Sequence, residues 1–271
     1  MPLLAIPFPM LDPVAFAVGP LVVRWYALAY IAGLLGGWWL ATRLVRNTAL
    51  WNGKPPLDAA GVDDMLVYAA AGVILGGRLG YVLFYNPTYY AQNPLEALMP
   101  WHGGMSFHGG LAGAGLALWL LSRRHAASVR SMFDLAAAVV PIGLFFGRIA
   151  NFVNGELWGR VSDVPWAVVF PDAGPEPRHP SQLYQAGLEG LVLFVLMMAL
   201  VRSGALRRPG LLAGAFLSGY GVVRIFGELF RQPDVQIGFL AGGLTMGMLL
   251  SVPLIVIGLT LALTAPRHQT S

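Results

Sequence analysis

Seven stretches of mostly apolar residues run along the chain, at 21–44, 65–85, 107–122, 132–152, 183–201, 211–229 and 237–263. A helix needs about 20 apolar residues to cross a hydrocarbon core of roughly 30 Å, and several of these stretches reach that length. The pattern predicts an all-α polytopic membrane protein with seven transmembrane helices, forming a single transmembrane domain over residues 1–271. The third stretch is short, and Gly109, Gly110, Gly113 and Gly115 crowd its first half. Small residues at that density suit close helix–helix approach in lipid. Before the first stretch there is no positive region, and Pro2, Pro7, Pro9, Pro13 and Pro20 interrupt the chain. That excludes a signal peptide and predicts an ordered segment at the membrane surface.

Composition agrees with the pattern. Of 271 residues, 56% are hydrophobic and 11% charged, where a soluble domain carries about 25% charged residues. The net charge of +4 comes from sixteen arginines and one lysine. In a soluble chain that excess would suggest nucleic acid. Here the placement of the charges explains it better, and no nucleic-acid partner is expected. Arg43, Arg46 and Lys54 follow the first stretch, Arg123, Arg124 and Arg130 the third, Arg202, Arg207 and Arg208 the fifth, and Arg267 the seventh. The alternate connections hold Arg160, Arg178 and Arg231. Ten against three puts the N-terminus outside and the C-terminus in the cytoplasm. The polar connection at 155–181, with Asp163, Asp172 and Glu176, is then a small periplasmic cap. Tyr85, Tyr89, Tyr90 and Trp101 mark an interfacial belt on the same side. The chain has no cysteine, so it forms no disulfide and supplies no thiol of its own.

Four arginines do not belong in lipid: Arg24, Arg78, Arg148 and Arg224 fall within or at the edge of predicted spans. An arginine at a helix centre costs about 2.5–3.5 kcal/mol on insertion scales, so it faces the bundle interior, pairs, or marks a pathway. With the orientation above, all four lie in the outer half, as does His108. Scattered snorkelling arginines would appear on both sides. The sixth stretch carries Tyr220, Arg224, Glu228 and Arg231 at i, i+4, i+8 and i+11, within an arc of about 80° on one helix. Glu228 is spaced to pair with Arg224 or Arg231. One glutamate does not neutralise every nearby arginine, which favours function for Arg224. A buried structural ion network is the competing reading for Glu228 and Arg231.

At the end of the fourth stretch the chain reads Gly147-Arg148-Ile149-Ala150-Asn151-Phe152-Val153-Asn154-Gly155-Glu156-Leu157-Trp158-Gly159. Arg148 and Asn151 sit one turn apart. Arginine presents forked donors that match phosphate, and Gly155 suits a helix C-cap. His179-Pro180-Ser181-Gln182-Leu183-Tyr184-Gln185 opens the fifth stretch, with Ser181 a candidate N-cap. No paired His/Glu spacing of the zinc kind occurs, so neither a metal nor a cofactor is expected.

These blocks resemble prolipoprotein diacylglyceryl transferases over essentially the whole chain. The Gly147–Gly159 block looks like that family's signature throughout, supported by Arg24-Trp25-Tyr26, Gly77-Arg78-Leu79-Gly80-Tyr81, the run from Gly103 to Gly110, the His179–Tyr184 run, and Tyr220-Gly221-Val222-Val223-Arg224 with Glu228 and Arg231. Two positions depart from the family's habit: Gln185 stands where glutamate is usual, and Ala27 where glycine is common. The resemblance implies transfer of the diacylglyceryl group of phosphatidylglycerol to the lipobox cysteine of a secreted lipoprotein precursor, giving a thioether and glycerol phosphate. It implies a multi-pass protein of the bacterial cytoplasmic membrane, amid membrane lipids, with its site open to the periplasm. On that footing Arg148 and Arg224 would hold the phosphate, and His108 or Tyr220 would take the thiol proton or steady the leaving group. Tyr26, Arg78, Asn151, Asn154, Glu156, Gly159, Glu228 and Arg231 would complete the substrate site. The alternative is a transporter or channel for a lipid or small anion, since arginine rings also select phosphate-like ions.

Overall fold

The structure, a computed structural model, describes residues 6–9, 12, 14–19, 21–52, 54–233 and 238–266. Among the described residues, six helices are long and apolar enough to cross a membrane: Trp25–Arg46, Ala59–Phe84, Val129–Val153, Ser181–Arg202, Leu211–Glu228 and Met246–Leu263. The third predicted span is a helix, Phe107–Arg124, but it is not among those six. Its glycines, His108, Ser122, Arg123 and Arg124 dilute its hydropathy. The chain divides into two compact units, residues 1–40 with 136–271 and residues 41–135.

In the larger unit a short strand β1 (Ile6–Pro7) pairs in parallel with β4 (Val168–Val169), and β2 (Val14–Val18) forms a hairpin with β3 (Leu21–Arg24). The expectation of a surface segment before the first span falls partly outside the described residues. What is described is tied to the 155–181 connection. Phe8, Val168 and Phe170 form a buried cluster with Phe152 and Trp158 packed against it. The first predicted span therefore begins late. Leu21-Val22-Val23, rich in β-branched residues that fit a pleated ladder, stays extended, and helix α1 (Trp25–Arg46) starts only at Trp25.

The smaller unit packs α2 (Ala59–Phe84) on α4 (Phe107–Arg124). Asp58 caps α2 through the Gly61 amide at 2.7 Å, so the helix starts six residues before the expected 65. The two helices touch backbone to backbone. A Cβ built on Gly76 would meet the Gly109 carbonyl, and one on Gly113 would meet the Gly72 carbonyl, with no side chain between to give way. Between them lie α3 (Pro87–Gln92) and two 3-10 turns, Pro94–Leu98 and Pro100–His102.

The larger unit continues with α5 (Val129–Val153), which begins in the smaller one. The fifth span is composite: α6 (Ser181–Gln185), a π-helical segment (Ala186–Val192) and α7 (Leu193–Arg202). Helices α8 (Leu211–Glu228) and α9 (Met246–Leu263) pack closely through Gly214, Ser218, Gly221 and Gly258. The seventh span was expected from 237. Ile237 lies outside the described residues, and α9 starts at Met246. Gly238, Gly242 and Gly243 have positive φ, and the Thr245 hydroxyl caps the helix by accepting from the Met248 amide at 3.2 Å.

The glycine contact between α2 and α4 makes a prediction. Gly113→Ala should destabilise the detergent-solubilised protein by about 1–3 kcal/mol, the usual cost of overpacking. Gly115→Ala, where an added Cβ meets nothing within 4 Å, should leave the melting temperature unchanged or slightly raised.

Candidate active site

The larger unit concentrates its buried charge in one network. Arg148, near the end of α5, donates through Nε at 3.0 Å to Oε2 of Glu189 and holds the same oxygen through Nη2 at 2.9 Å. Arg224 on α8 approaches Oε1 of the same carboxylate at 3.5 Å, and its Nη2 lies 2.6 Å from Glu228 Oε1, one turn along the helix. Glu189 is fully buried. Tyr220 sits beside this cluster, within the field of Glu189, Arg224 and Arg148. Two guanidiniums from different helices are thus joined by a shared carboxylate, as a buried ionic group requires if it is not to cost several kcal/mol per charge.

Glu189 was not among the residues singled out from the sequence, where Glu228 stood as the one acid near the arginines. The signal was present. A glutamate in the middle of an apolar span, Leu188-Glu189-Gly190, is as costly in lipid as an arginine. It sits in the π-helical segment, whose i→i+5 bonding is rare and concentrates at functional sites. Gly190 lets that segment press on α5, since a Cβ there would lie 2.6 Å from that of Phe145.

Around the end of α5 the signature residues form a second network, centred on the Glu156 carboxylate. Gly155 takes φ 67° just beyond the helix, and the chain turns back so that Glu156 N donates to the Asn151 carbonyl at 3.0 Å. Asn151 Nδ2 donates to Glu156 Oε1 at 2.7 Å, with Asn154 Nδ2 at 3.5 Å. Tyr26 feels the Glu156 charge and hydrogen-bonds Tyr30 at 3.0 Å. Ser181 does not cap α6. Its hydroxyl donates to the Leu157 carbonyl at 2.9 Å, and Gln182 Nε2 donates to the Glu156 carbonyl at 2.6 Å. The fifth span is thereby tied to the signature loop.

Gly159 has a packing reason to be glycine. Its amide donates to the His179 carbonyl at 2.9 Å, and a Cβ would lie 2.5 Å from that oxygen and 2.6 Å from the Phe230 carbonyl. It also pairs with Arg231 as an antiparallel bridge. Arg231 therefore leaves the polar stripe expected of one continuous helix, because α8 ends at Glu228. Arg231 lies with Arg224, Glu228, Thr245 and Gly247 around a cavity of about 40 Å³. Nearby, Tyr184 Oη accepts from Trp166 Nε1 at 2.6 Å and lies 3.1 Å from His179 Nδ1. Burial lowers the His179 pKa below its ordinary value, against the opposing pull of Asp163.

Arg78 and His108 belong to the smaller unit. Arg78 is 5% exposed. Its Nε donates to the Ala97 carbonyl at 3.0 Å, its Nη1 to Gly103 and Gly104, and its Nη2 to Glu96. Its guanidinium also lies over the Tyr90 ring at 5.0 Å. Every nitrogen of this guanidinium is engaged by backbone carbonyls, so Arg78 fastens the loop before α4. The same loop holds Tyr89, whose hydrogen bond to Glu96 at 2.7 Å raises its phenol pKa.

Residues 13–264 match the profile of the prolipoprotein diacylglyceryl transferases. The chain belongs to this family. It is similar to phosphatidylglycerol–prolipoprotein diacylglyceryl transferases of Methylocella silvestris (58% identity, covering 97% of both chains), Sinorhizobium medicae (60%, covering 94% of this chain and 92% of the relative) and Beijerinckia indica (58%, covering all of both). The transporter alternative finds no support among these diacylglyceryl transferase relatives.

The shared carboxylate of this family member is open to a direct test. Glu189→Gln should cost about 3–5 kcal/mol in thermal stability, because it leaves two buried guanidiniums facing a neutral amide. Adding Arg148→Gln to it should restore part of that loss, since partners removed together are not additive. Melting curves of Glu189→Gln, Arg148→Gln and the double variant in detergent decide the matter, and additive losses would mean that the ion pair is not the coupling.

Proposed function

We propose that this protein transfers the diacylglyceryl group of phosphatidylglycerol to the lipobox cysteine thiol of a prolipoprotein, with Arg148 and Arg224 as the phosphate-binding pair. Family membership supports the activity, and the names of the relatives supply the two substrates. The observation that carries the assignment of residues is the shared carboxylate, which draws the two guanidiniums together from α5 and α8.

The chemistry fits such a pair. The substrate thiolate forms a carbon–sulfur bond to the diacylglycerol carbon as the carbon–oxygen bond to phosphate breaks. The departing glycerol phosphate turns from a diester into a monoester, so negative charge grows on its oxygens. Preorganised cations aimed at developing charge stabilise that transition state more than the ground state. A guanidinium has five N–H donors, so one that holds Glu189 through Nε and Nη2 has further donors for phosphate oxygens. The same cations favour the thiolate, whose parent thiol has a pKa near 8.5. Because the substrate brings the nucleophile, a chain with no cysteine suffices.

In this reading Asn151, Asn154, Glu156 and Tyr26 orient the head group, Tyr220 steadies the leaving phosphate, and His108 accepts the thiol proton. Glu228 and Arg231 hold Arg224 and its surroundings. Gly159 serves by close packing, and Arg78 by fixing the loop before α4. Seven spans, with the N-terminus outside, the 155–181 cap periplasmic and the C-terminus cytoplasmic, complete the proposal. The excess of basic residues in alternate connections supports that orientation, as does the shape of the larger unit, where the cap carries the N-terminal strand.

Purified protein given phosphatidylglycerol and a lipobox peptide should release glycerol phosphate only when the peptide contains its cysteine. Arg148→Ala should abolish release while the protein still inserts and elutes as folded protein, and wild-type turnover in that variant would refute the phosphate assignment. His108→Gln should slow the reaction by about 10²–10⁴-fold, the usual worth of a general base. A normal rate would remove His108 from that role alone.

A further inference from the structure

Thr245 caps α9, yet its hydroxyl does more than a cap requires. It accepts from the Met248 amide at 3.2 Å, which fixes the direction of its own hydrogen, and it donates that hydrogen to Glu228 Oε2 at 2.6 Å. Glu228 Oε1 faces Arg224 Nη2 at 2.6 Å. Thr245 and Glu228 are 2% and 4% exposed, so both partners are withdrawn from bulk solvent. On the other side Gly247 leaves the space the carboxylate occupies, since a Cβ there would lie 2.7 Å from Glu228 Cδ. The N-terminus of α9 is therefore shaped around one carboxylate by a hydroxyl that binds it and a glycine that admits it.

We infer that Thr245 is a positioning residue for the transfer reaction, holding Glu228 in the rotamer that aims Arg224. The inference rests on the reading of Arg224 as a phosphate ligand. A carboxylate pinned by one short charge-assisted bond presents its other oxygen to the guanidinium in a single orientation. Released from Thr245, Glu228 has other rotamers, and Arg224 follows it away from the geometry that the departing phosphate needs. Gly247 acts by the same route with the opposite sign of contact, because any side chain there displaces the carboxylate.

The test is a set of variants assayed for glycerol phosphate release from phosphatidylglycerol and a lipobox peptide. Thr245→Val should lower kcat about tenfold to a hundredfold, the worth of one hydrogen bond to a charged group, and Thr245→Ser should restore it. Gly247→Ala should show the same fall. A merely structural role for this contact would lower the melting temperature, since the added Cβ displaces a paired carboxylate, but would leave the kcat of the folded enzyme unchanged. Gly247→Ala leaves the cap intact, so it remains decisive if Thr245→Val does not fold. In a Glu228→Gln background the Thr245→Val loss should largely vanish. An undiminished loss there, or a Gly247→Ala enzyme with wild-type kcat, overturns the proposal. Wild-type turnover by Glu228→Gln itself would bring down the reading of Arg224, and the proposal with it. An impaired Glu228→Gln beside an additive Thr245→Val overturns the proposal alone.

Discussion

One buried carboxylate, Glu189, sets the terms for the charged centre of the larger unit. Arg148 and Arg224 come from helices that lipid would otherwise select to be greasy, and each needs a counter-charge where water cannot supply one. Glu189 meets Arg148 with two donors on one oxygen and Arg224 with the other. Its position in a π-helical segment, packed by Gly190 on Phe145, fixes where α5, the fifth span and α8 converge. The irregular helix and the ion network are one feature: the segment departs from α-geometry where the charge is placed.

The protein satisfies its buried arginines in two different ways, and the difference sorts their roles. Arg78 is met by neutral carbonyls of the loop it fastens. Carbonyl dipoles fill its donors without adding charge, so the guanidinium and its loop become one rigid piece. Arg148 and Arg224 are met by carboxylates, and an anion that arrives there finds a site already arranged for negative oxygen atoms. From sequence the three arginines look alike, each in a glycine-containing stretch of an apolar span.

Much of the architecture was legible because lipid imposes it. Apolar length put a helix on each of the seven predicted stretches, six of them long and apolar enough to span among the described residues; the orientation read from the basic connections stays a proposal. Helix starts were less legible where local chemistry overrides hydropathy. Asp58 begins α2 early by capping it, Thr245 and three positive-φ glycines delay α9, and β-branched residues at Val22 and Val23 keep the chain extended up to Arg24. At the site, the residue types that bind phosphate stood out, and so did the signature block. Glu189 was missed because an acid was weighed only as a partner for a known arginine, and not by its own cost in lipid. The roles of Gly159 and Arg78 were hidden for another reason: both depend on backbone carbonyls at 96–104, 179 and 230, which no side-chain pattern reveals.

Charge counting explains how such a centre can both persist and react. Arg148 and Arg224 are matched at rest by Glu189 and Glu228, two charges of each sign, so the empty site has little net charge to destabilise the fold. On the proposed reading a phosphodiester would add one negative charge, held by donors the carboxylates leave over. As the carbon–oxygen bond broke, the phosphate would gain a second charge, which the same preorganised guanidiniums would stabilise. A cluster with no carboxylates would attract phosphate more strongly at every stage, but its two buried guanidiniums would stand unpaired, at several kcal/mol per charge. The buried glutamates therefore serve the fold first: they neutralise the arginines at rest, and on the proposed reading the N–H donors they leave over are the ones a phosphate would use.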